Sequence, residues 1–183
     1  MEYQKAQNVL QKYMQKPNLV KHSVAVAEVM RHFARLAGED EDYWAAVGLL
    51  HDVDYELYPE LMHAKSPEIL KNEGYDDKFI YSVQSHAWGL CGDCEPKKPM
   101  ELVLASIDQL TGFIIAVALM KPDKKLASVE MSSLLKKWKD KKFASGTGRD
   151  RIVSLCERMG KEFSWVLEQT LLAMQNVADK LGL

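Results

Sequence analysis

Cysteine is scarce in this chain, with three among 183 residues, and three cysteines do not make a disulfide framework. Long apolar runs are missing as well. No unbroken stretch of about 18 apolar residues occurs, so no membrane-spanning helix is expected. The longest approach, residues 102–120, is interrupted by Ser106, Asp108, Gln109 and Thr111. The opening MEYQKAQNVLQKY lacks the apolar core of a secretion signal, and the expectation is a cytoplasmic protein without membrane contact. An excess of basic charge is absent too: 24 Lys and Arg face 26 Asp and Glu, for a net charge of −2. Nucleic-acid binders usually carry a basic domain or stripe, so nucleic acid is not expected as a partner. There are no repeats, low-complexity tracts or linkers long enough to divide the chain.

What is present is apolar residues at helical spacing. They make up 47% of the chain, enough at this length for one sizeable core. The period-two alternation that marks strands does not stand out. The expected fold is all-α, a single-domain helical bundle over residues 1–183. Helices are expected over 3–15, ended by Pro17; over 18–37, stopped by Gly38; and over 42–54. The next starts at Ser66 as N-cap, with Pro67 in its first turn, and ends at Gly74. Further helices are expected over 77–88, 100–120, 128–140, 149–159 and 161–181. Residues 89–99 read as a loop, and 141–148 as an exposed, mobile one.

The informative residues are polar ones on apolar faces. His22 precedes Ala25, Val26, Val29, Phe33 and Leu36 at helical spacing, so it lies on the buried stripe. Taken alone, it fits a hydrogen-bonded core histidine. His32 shares a face with Glu28, Arg31 and Arg35 and reads as solvent-facing. In AAVGLLHDVDYE, His51 and Asp52 directly follow small and apolar residues. Burying both is costly unless they are paired or metal-bound, and imidazole with carboxylate is a natural ligand set for a divalent ion. The alternative is a His–Asp pair at a helix end, facing water. Asp108 shares a face with Leu104, Ala105, Thr111, Gly112 and Ile115. An ionised Asp at mid-helix there needs a cation or several donors. His63 and His86 each fit ordinary structural or surface roles when taken singly. All six residues come from successive elements, and a compact helical bundle can bring them to one cavity.

The order His22, His51-Asp52, Asp108 resembles the HD superfamily of metal-dependent phosphohydrolases. The segments LVKHSVAVAEVM, AAVGLLHDVDYE and LASIDQLTGFI are similar to its three signature segments. The resemblance covers about residues 18–120, with helices of 128–183 packing on that region, and implies that the four residues bind one metal ion. His63 and His86 resemble the extra ligands of the family's two-metal branches, which include symmetrical dinucleotide-tetraphosphate hydrolases and cyclic-dinucleotide phosphodiesterases. In that arrangement Asp52 bridges two ions, with His63 and His86 on the second. The Gly-Tyr-Pro motif of the cyclic-dinucleotide enzymes is missing at the corresponding place. Histidine-rich ligation suits Fe, Mn, Co, Ni or Zn better than Mg.

The implied reaction is hydrolysis of a nucleotide or other small phosphoester by metal-bound hydroxide. Asp54 and Glu56 are candidates for the leaving-group acid or for orienting residues, with helix-end surface acids as the alternative. Lys65, Lys21 and Arg149 are candidates to meet substrate phosphate. Lys65 leads because it stands beside the helix start at Ser66. Arg149 and Arg151 follow the turn at 146–148, and could close over the pocket or simply open the next helix. Cys91 and Cys94 have zinc-knuckle spacing but lack a second pair, and read as solvated loop residues. Two other classes stay in view: a di-iron oxygenase of the same fold, and a non-catalytic nucleotide-binding regulatory module. The latter has no physical need for six ligands.

Overall fold

A computed structural model of the chain describes residues 2–61 and 63–183. The α-helices are α1 (Glu2–Tyr13), α2 (Pro17–Ala37), α3 (Glu41–Leu49), α4 (Ser66–Asn72), α5 (Asp77–Gln84), α6 (Pro99–Leu119), α7 (Met131–Lys139), α8 (Arg149–Arg158), α9 (Phe163–Gln175) and α10 (Ala178–Leu181). Single 3-10 turns lie at Pro59–Leu61, Ser85–Ala87 and Leu126–Ser128. Among the described residues there is no strand, only an isolated bridge between Trp88 and Gly92, so the all-α expectation holds.

Helix α6 is the central element. Leu104, Ile107, Leu110 and Ile114 are wholly buried along it, and α2, α8, α9 and the Ser85–Ala87 turn pack on it. By length and composition alone it could cross a membrane, but 67% of its most apolar stretch is buried inside the protein. The C-terminal helices share the main core: Ile152, Val166, Leu167, Leu171 and Met174 join residues of α1, α2, α3 and α6.

Several helix boundaries depart from expectation. Pro17 opens α2 instead of ending α1, which stops at Tyr13. A proline's missing N–H costs nothing at a first helical position. Gly38 does stop α2: its φ is 70°, and the N–H of Glu39 bonds the Ala34 carbonyl at 2.9 Å. Ser66 does not cap α4. Its hydroxyl donates to the His63 carbonyl at 3.0 Å, while Asp54 Oδ2 accepts the N–H groups of Lys65 and Ser66 at 3.0 and 2.9 Å. Residues 141–148 are exposed or half-buried and form turns, with the carbonyls of Phe143 and Ala144 accepting from Arg149. His32 faces Gln169 on α9, with Nε2 2.9 Å from Oε1, not open solvent.

Helices α3 and α5 end earlier than their periodicity suggests, and for the same reason. His51 Nδ1 donates to the Gly48 carbonyl at 2.8 Å, and His86 Nδ1 to the Val83 carbonyl at 2.6 Å. Each ring takes a carbonyl that the N–H one residue later would use to continue the helix. His51, Asp52 and His86 therefore stand on turns just past helix ends.

Helix α3 sits tightly on α2 at Gly48. A Cβ there would lie 2.8 Å from Met30 Cγ and 3.2 Å from Ala27 Cα, and Met30 and Ala27 are both fully buried. Gly48→Ala would gain about 0.5–1 kcal/mol of helix propensity but overpack the contact by about 1–3 kcal/mol. The expected outcome is net destabilisation of about 1–2 kcal/mol, seen as a melting temperature lowered by about 2–8 °C in circular dichroism. An unchanged or raised melting temperature would show that α2 and α3 can part freely.

Candidate metal centre

The structure brings all six expected ligands together. His22 comes from α2, His51 and Asp52 from the turn after α3, His63 from the turn before α4, His86 from the 3-10 turn after α5, and Asp108 from α6. Two groups can each hold an ion: His22, His51 and Asp108, and Asp52, His63 and His86. In the first, His22 Nε2 lies 3.0 Å from Asp108 Oδ1 and 3.2 Å from His51 Nε2, and His51 Nε2 lies 3.4 Å from Asp108 Oδ1. Asp52 faces both groups with different oxygens. Its Oδ2 is 3.3 Å from His51 Nε2 and 3.9 Å from His22 Nε2, while its Oδ1 is 3.6 Å from His63 Nδ1 and 3.5 Å from His86 Nε2.

The rings are held by groups outside the cluster. Because His51 and His86 donate from Nδ1 to backbone carbonyls, their Nε2 lone pairs point inward. Thr111 Oγ1 donates to the Asp108 carbonyl at 2.6 Å and stands 3.5 Å from His22 Nδ1. His63 has a positive φ of 69°, a conformation costing a non-glycine residue roughly 1–2 kcal/mol. Ser66 holds its carbonyl, and Tyr55 stacks on its ring at 6.1 Å.

This donor set fits a cation. Nitrogen lone pairs and carboxylate oxygens converge, and acceptors facing acceptors repel unless a positive charge lies between them. The side chains are enclosed: His51 is fully buried and Asp52 and Asp108 are each 16% exposed. Two buried atoms, Asp54 Oδ1 and His63 Nδ1, have no hydrogen-bond partner and face each other at 3.4 Å. Burial opposes charge on His51, but Asp52 and Asp108 outweigh it and hold its pKa well above the ordinary value. Burial likewise works against His63, yet Asp54 and Asp52 raise its pKa. Burial would raise both carboxylates; instead His51 with His86 holds Asp52 well below its usual range, and His22 with His51 does so for Asp108. The site thus draws positive charge inward.

The other expected residues are engaged mainly by backbone groups or surface partners. Glu56 Oε2 accepts the N–H groups of Gln15 and Lys16, both at 2.8 Å, tying the connector between α1 and α2 to the turns after α3. Those bonds lower its pKa, so it is a poor proton donor. Arg149 donates to the carbonyls of Trp138, Asp140, Phe143 and Ala144, a loop-holding role in place of the expected phosphate contact. Lys21 is exposed near Gly182. Lys65 pairs with Glu68 at 2.8 Å. Asp54 is wholly buried and ties the start of α4 to the His63 turn.

Sequence reasoning gave no role to Thr111 and left Arg151 open. Arg151 donates to the carbonyls of His86 (2.6 Å), Trp88 (2.6 Å) and Ala105 (3.0 Å), fastening the His86 turn to α6. The signal available was a Thr one helical turn after Asp108. For Arg151 there was none, since its partners are backbone groups distant in sequence. A cleft of about 320 Å³ opens beside His63, lined also by Gln84, Cys91, Asp93 and Cys94. Cys91 is exposed and Cys94 half-buried. Partial desolvation at the cleft wall, then Asp52, raises the Cys91 thiol pKa, which disfavours the thiolate form needed for ligation.

The region that carries all six residues is similar to a known family. The family profile described as the HD domain matches residues 19–116. Ribonuclease Y from two strains of Staphylococcus epidermidis is 32% identical over 99 residues, covering 51% of this chain and 18% of that protein. Ribonuclease Y from Desulfotalea psychrophila is 27% identical over 173 residues, covering 90% of this chain and 32% of that protein. The chain therefore spans about a third or less of the curated relatives it matches. No solved structure matches it.

Metal analysis of purified protein loaded with Mn²⁺ should find about two ions per chain. Asp52→Ala, which removes the carboxylate shared by both groups, should lose most of the metal. Asp108→Ala should lose the ion of the first group, with helicity kept in both variants. A wild-type protein that binds no divalent ion, or an Asp52→Ala variant that binds as well as wild type, defeats the assignment.

Proposed function

The chain belongs to the HD domain family, a superfamily of metal-dependent phosphohydrolases, and from that premise we propose that it hydrolyses a small phosphoester, a nucleotide foremost. The observation that carries this reading is Asp52, whose two oxygens face two separate ligand groups. His22, His51, Asp108 and Asp52 would hold one ion, and Asp52, His63 and His86 a second. Divalent ions at such sites supply Lewis acidity, neutralising phosphoryl oxygens and lowering the pKa of water towards neutrality. Mn, Fe, Co, Ni and Zn suit this ligand set.

The chain's own residues orient and position. Thr111 and the Gly48 and Val83 carbonyls set the rings of His22, His51 and His86. Asp54 acts as a positioning residue for the His63 turn, not as the leaving-group acid. Lys65 is the side chain proposed to meet substrate phosphate. Its pair with Glu68 is largely exposed, and such pairs contribute about 0–1 kcal/mol, so a phosphate can displace it at little cost.

A second reading comes from the relatives. The name Ribonuclease Y denotes enzymes that cleave RNA, which sets a phosphodiester in RNA against the expectation that nucleic acid is no partner. The small-phosphoester reading is preferred because Arg149 and Arg151 spend their donors on backbone carbonyls and are not arrayed to track a polyanionic strand.

The test is a Mn²⁺-supplemented screen under nitrogen, covering nucleoside monophosphates, dinucleotide polyphosphates, cyclic dinucleotides and a short RNA. Turnover of a small phosphoester should exceed that of RNA, and Asp52→Asn should lower it by roughly a thousandfold, several kcal/mol of charge stabilisation. Preference for RNA would favour the second reading. A strict need for Fe²⁺ with O₂ would replace hydrolysis by oxidation, and no turnover with metal bound would leave a binding module.

A further inference from the structure

A cavity of about 540 Å³ opens between α2, α3, α6, α8 and α9, and none of its lining residues belongs to the metal-ligand groups. That volume lies within the roughly 300–1,000 Å³ typical of small-molecule sites. Its walls are aromatic: Phe33, Trp44 and Trp165, with Phe33 and Trp165 meeting edge to face at 5.9 Å. Leu36, on the same lining, is 51% exposed. A large exposed leucine in a concavity of aromatic rings is apolar surface with nothing packed on it.

The charges on this lining are of one sign. Lys97, Arg158 and Lys161 are its charged members, and no carboxylate lines it. Arg158 is partly engaged, donating to Glu95 Oε1 at 2.9 Å and to the Pro96 carbonyl at 3.0 Å. The ammonium of Lys161 lies 4.9 Å from the Trp165 ring centroid, and that of Lys97 lies 5.1 Å from the Tyr81 ring centroid. Among the described residues no ion pair joins either lysine to a carboxylate. An apolar aromatic pocket with a cationic rim matches a ligand with an apolar body and an anionic head. A neutral ligand would leave the lysines without use, and a cation would be repelled.

We propose that this cavity binds a small apolar-bodied organic acid, aryl or acyl, at a site separate from the metal centre. The body lies against Trp44, Phe33 and Trp165, and the acid group meets Lys161 and Lys97. A volume of about 540 Å³ favours a small molecule over a protein helix, which would need a long open groove.

The test uses 1-anilinonaphthalene-8-sulfonate as the probe, followed by its fluorescence and by quenching of tryptophan emission in the full chain. Displacement is then measured with naphthalene-1-acetate, octanoate, the two corresponding alcohols and a naphthyl ammonium. The proposal requires saturable binding to one site and displacement by an acid at least about fivefold better than by its alcohol, with the ammonium weakest. The stronger of the two acids tells an aryl from an acyl ligand. Leu36→Glu and Lys161→Glu, both on the surface, should each weaken the probe roughly tenfold with thermal stability kept, whereas Asp108→Ala should leave its affinity unchanged. Binding that does not saturate, equal displacement by acid, alcohol and ammonium, or wild-type affinity in both glutamate variants would overturn it. So would loss of probe binding in Asp108→Ala, which would place the probe at the metal centre.

Discussion

Two carboxylates and four imidazoles share one enclosed space, and the rest of the structure is arranged around that electrostatic constraint. Asp52 and Asp108 are each only 16% exposed. Removing an ionised carboxylate from water costs several kcal/mol even after relaxation. Burial alone would push both towards the neutral form, yet the neighbouring histidines hold both ionised, with pKa values below their usual range. Charge of one sign is therefore stored here by design of the packing, and a positive partner is required. Protons on the histidines can supply it in part, which is why the His51 pKa rises. Divalent ions supply it without disturbing the carbonyl bonds that orient the rings.

Those carbonyl bonds tie the centre to the fold. A helix end leaves carbonyls without partners, and His51 and His86 each use one such group, Gly48 or Val83. One bond does two things at once: it terminates the helix and fixes which ring nitrogen faces the centre. The position of His51 depends further on Gly48, whose missing side chain lets α3 approach α2 and its His22. His86 depends on Arg151, whose guanidinium fastens the turn to α6 and hence to Asp108. Asp54 does the same for His63, joining the turn after α3 to the start of α4. His51, His63 and His86 are each held by a group that also holds a boundary between elements.

This explains what the sequence could and could not reveal. His22 and Asp108 were legible because a polar residue on an apolar helical stripe is anomalous at the level of periodicity. His51 and Asp52 were legible from their place after a small apolar run. The helix ends beyond Leu49 and Gln84 were not, because a side chain bonding its own helix's last carbonyls leaves no mark on the apolar period. Glu56, Arg149 and Ser66 were misjudged in a related way. Their charge or hydroxyl is visible in sequence, but the backbone groups that engage them are distant in the chain or in turns whose geometry periodicity does not fix. Long polar side chains go where unpaired backbone groups need them, so a charged residue near a motif is weak evidence that it serves the site.

Charge balance connects the centre to its proposed substrate. Asp52 and Asp108 contribute two negative charges through the depressed pKa values already described. Two divalent ions would bring four positive charges, more than the carboxylates facing them, Asp54 beside His63 included, in a space where the histidines are then neutral ligands. Arg151 adds its own positive charge beside Asp108 while its three carbonyl partners hold it as a structural tie. A phosphoryl dianion would neutralise that excess. A strand of many phosphates needs further cations along its length, and Lys65, two residues after His63, is one basic side chain whose pair with Glu68 is weakly held. For the hydrolysis proposed, such a centre would meet one phosphoryl group at a time.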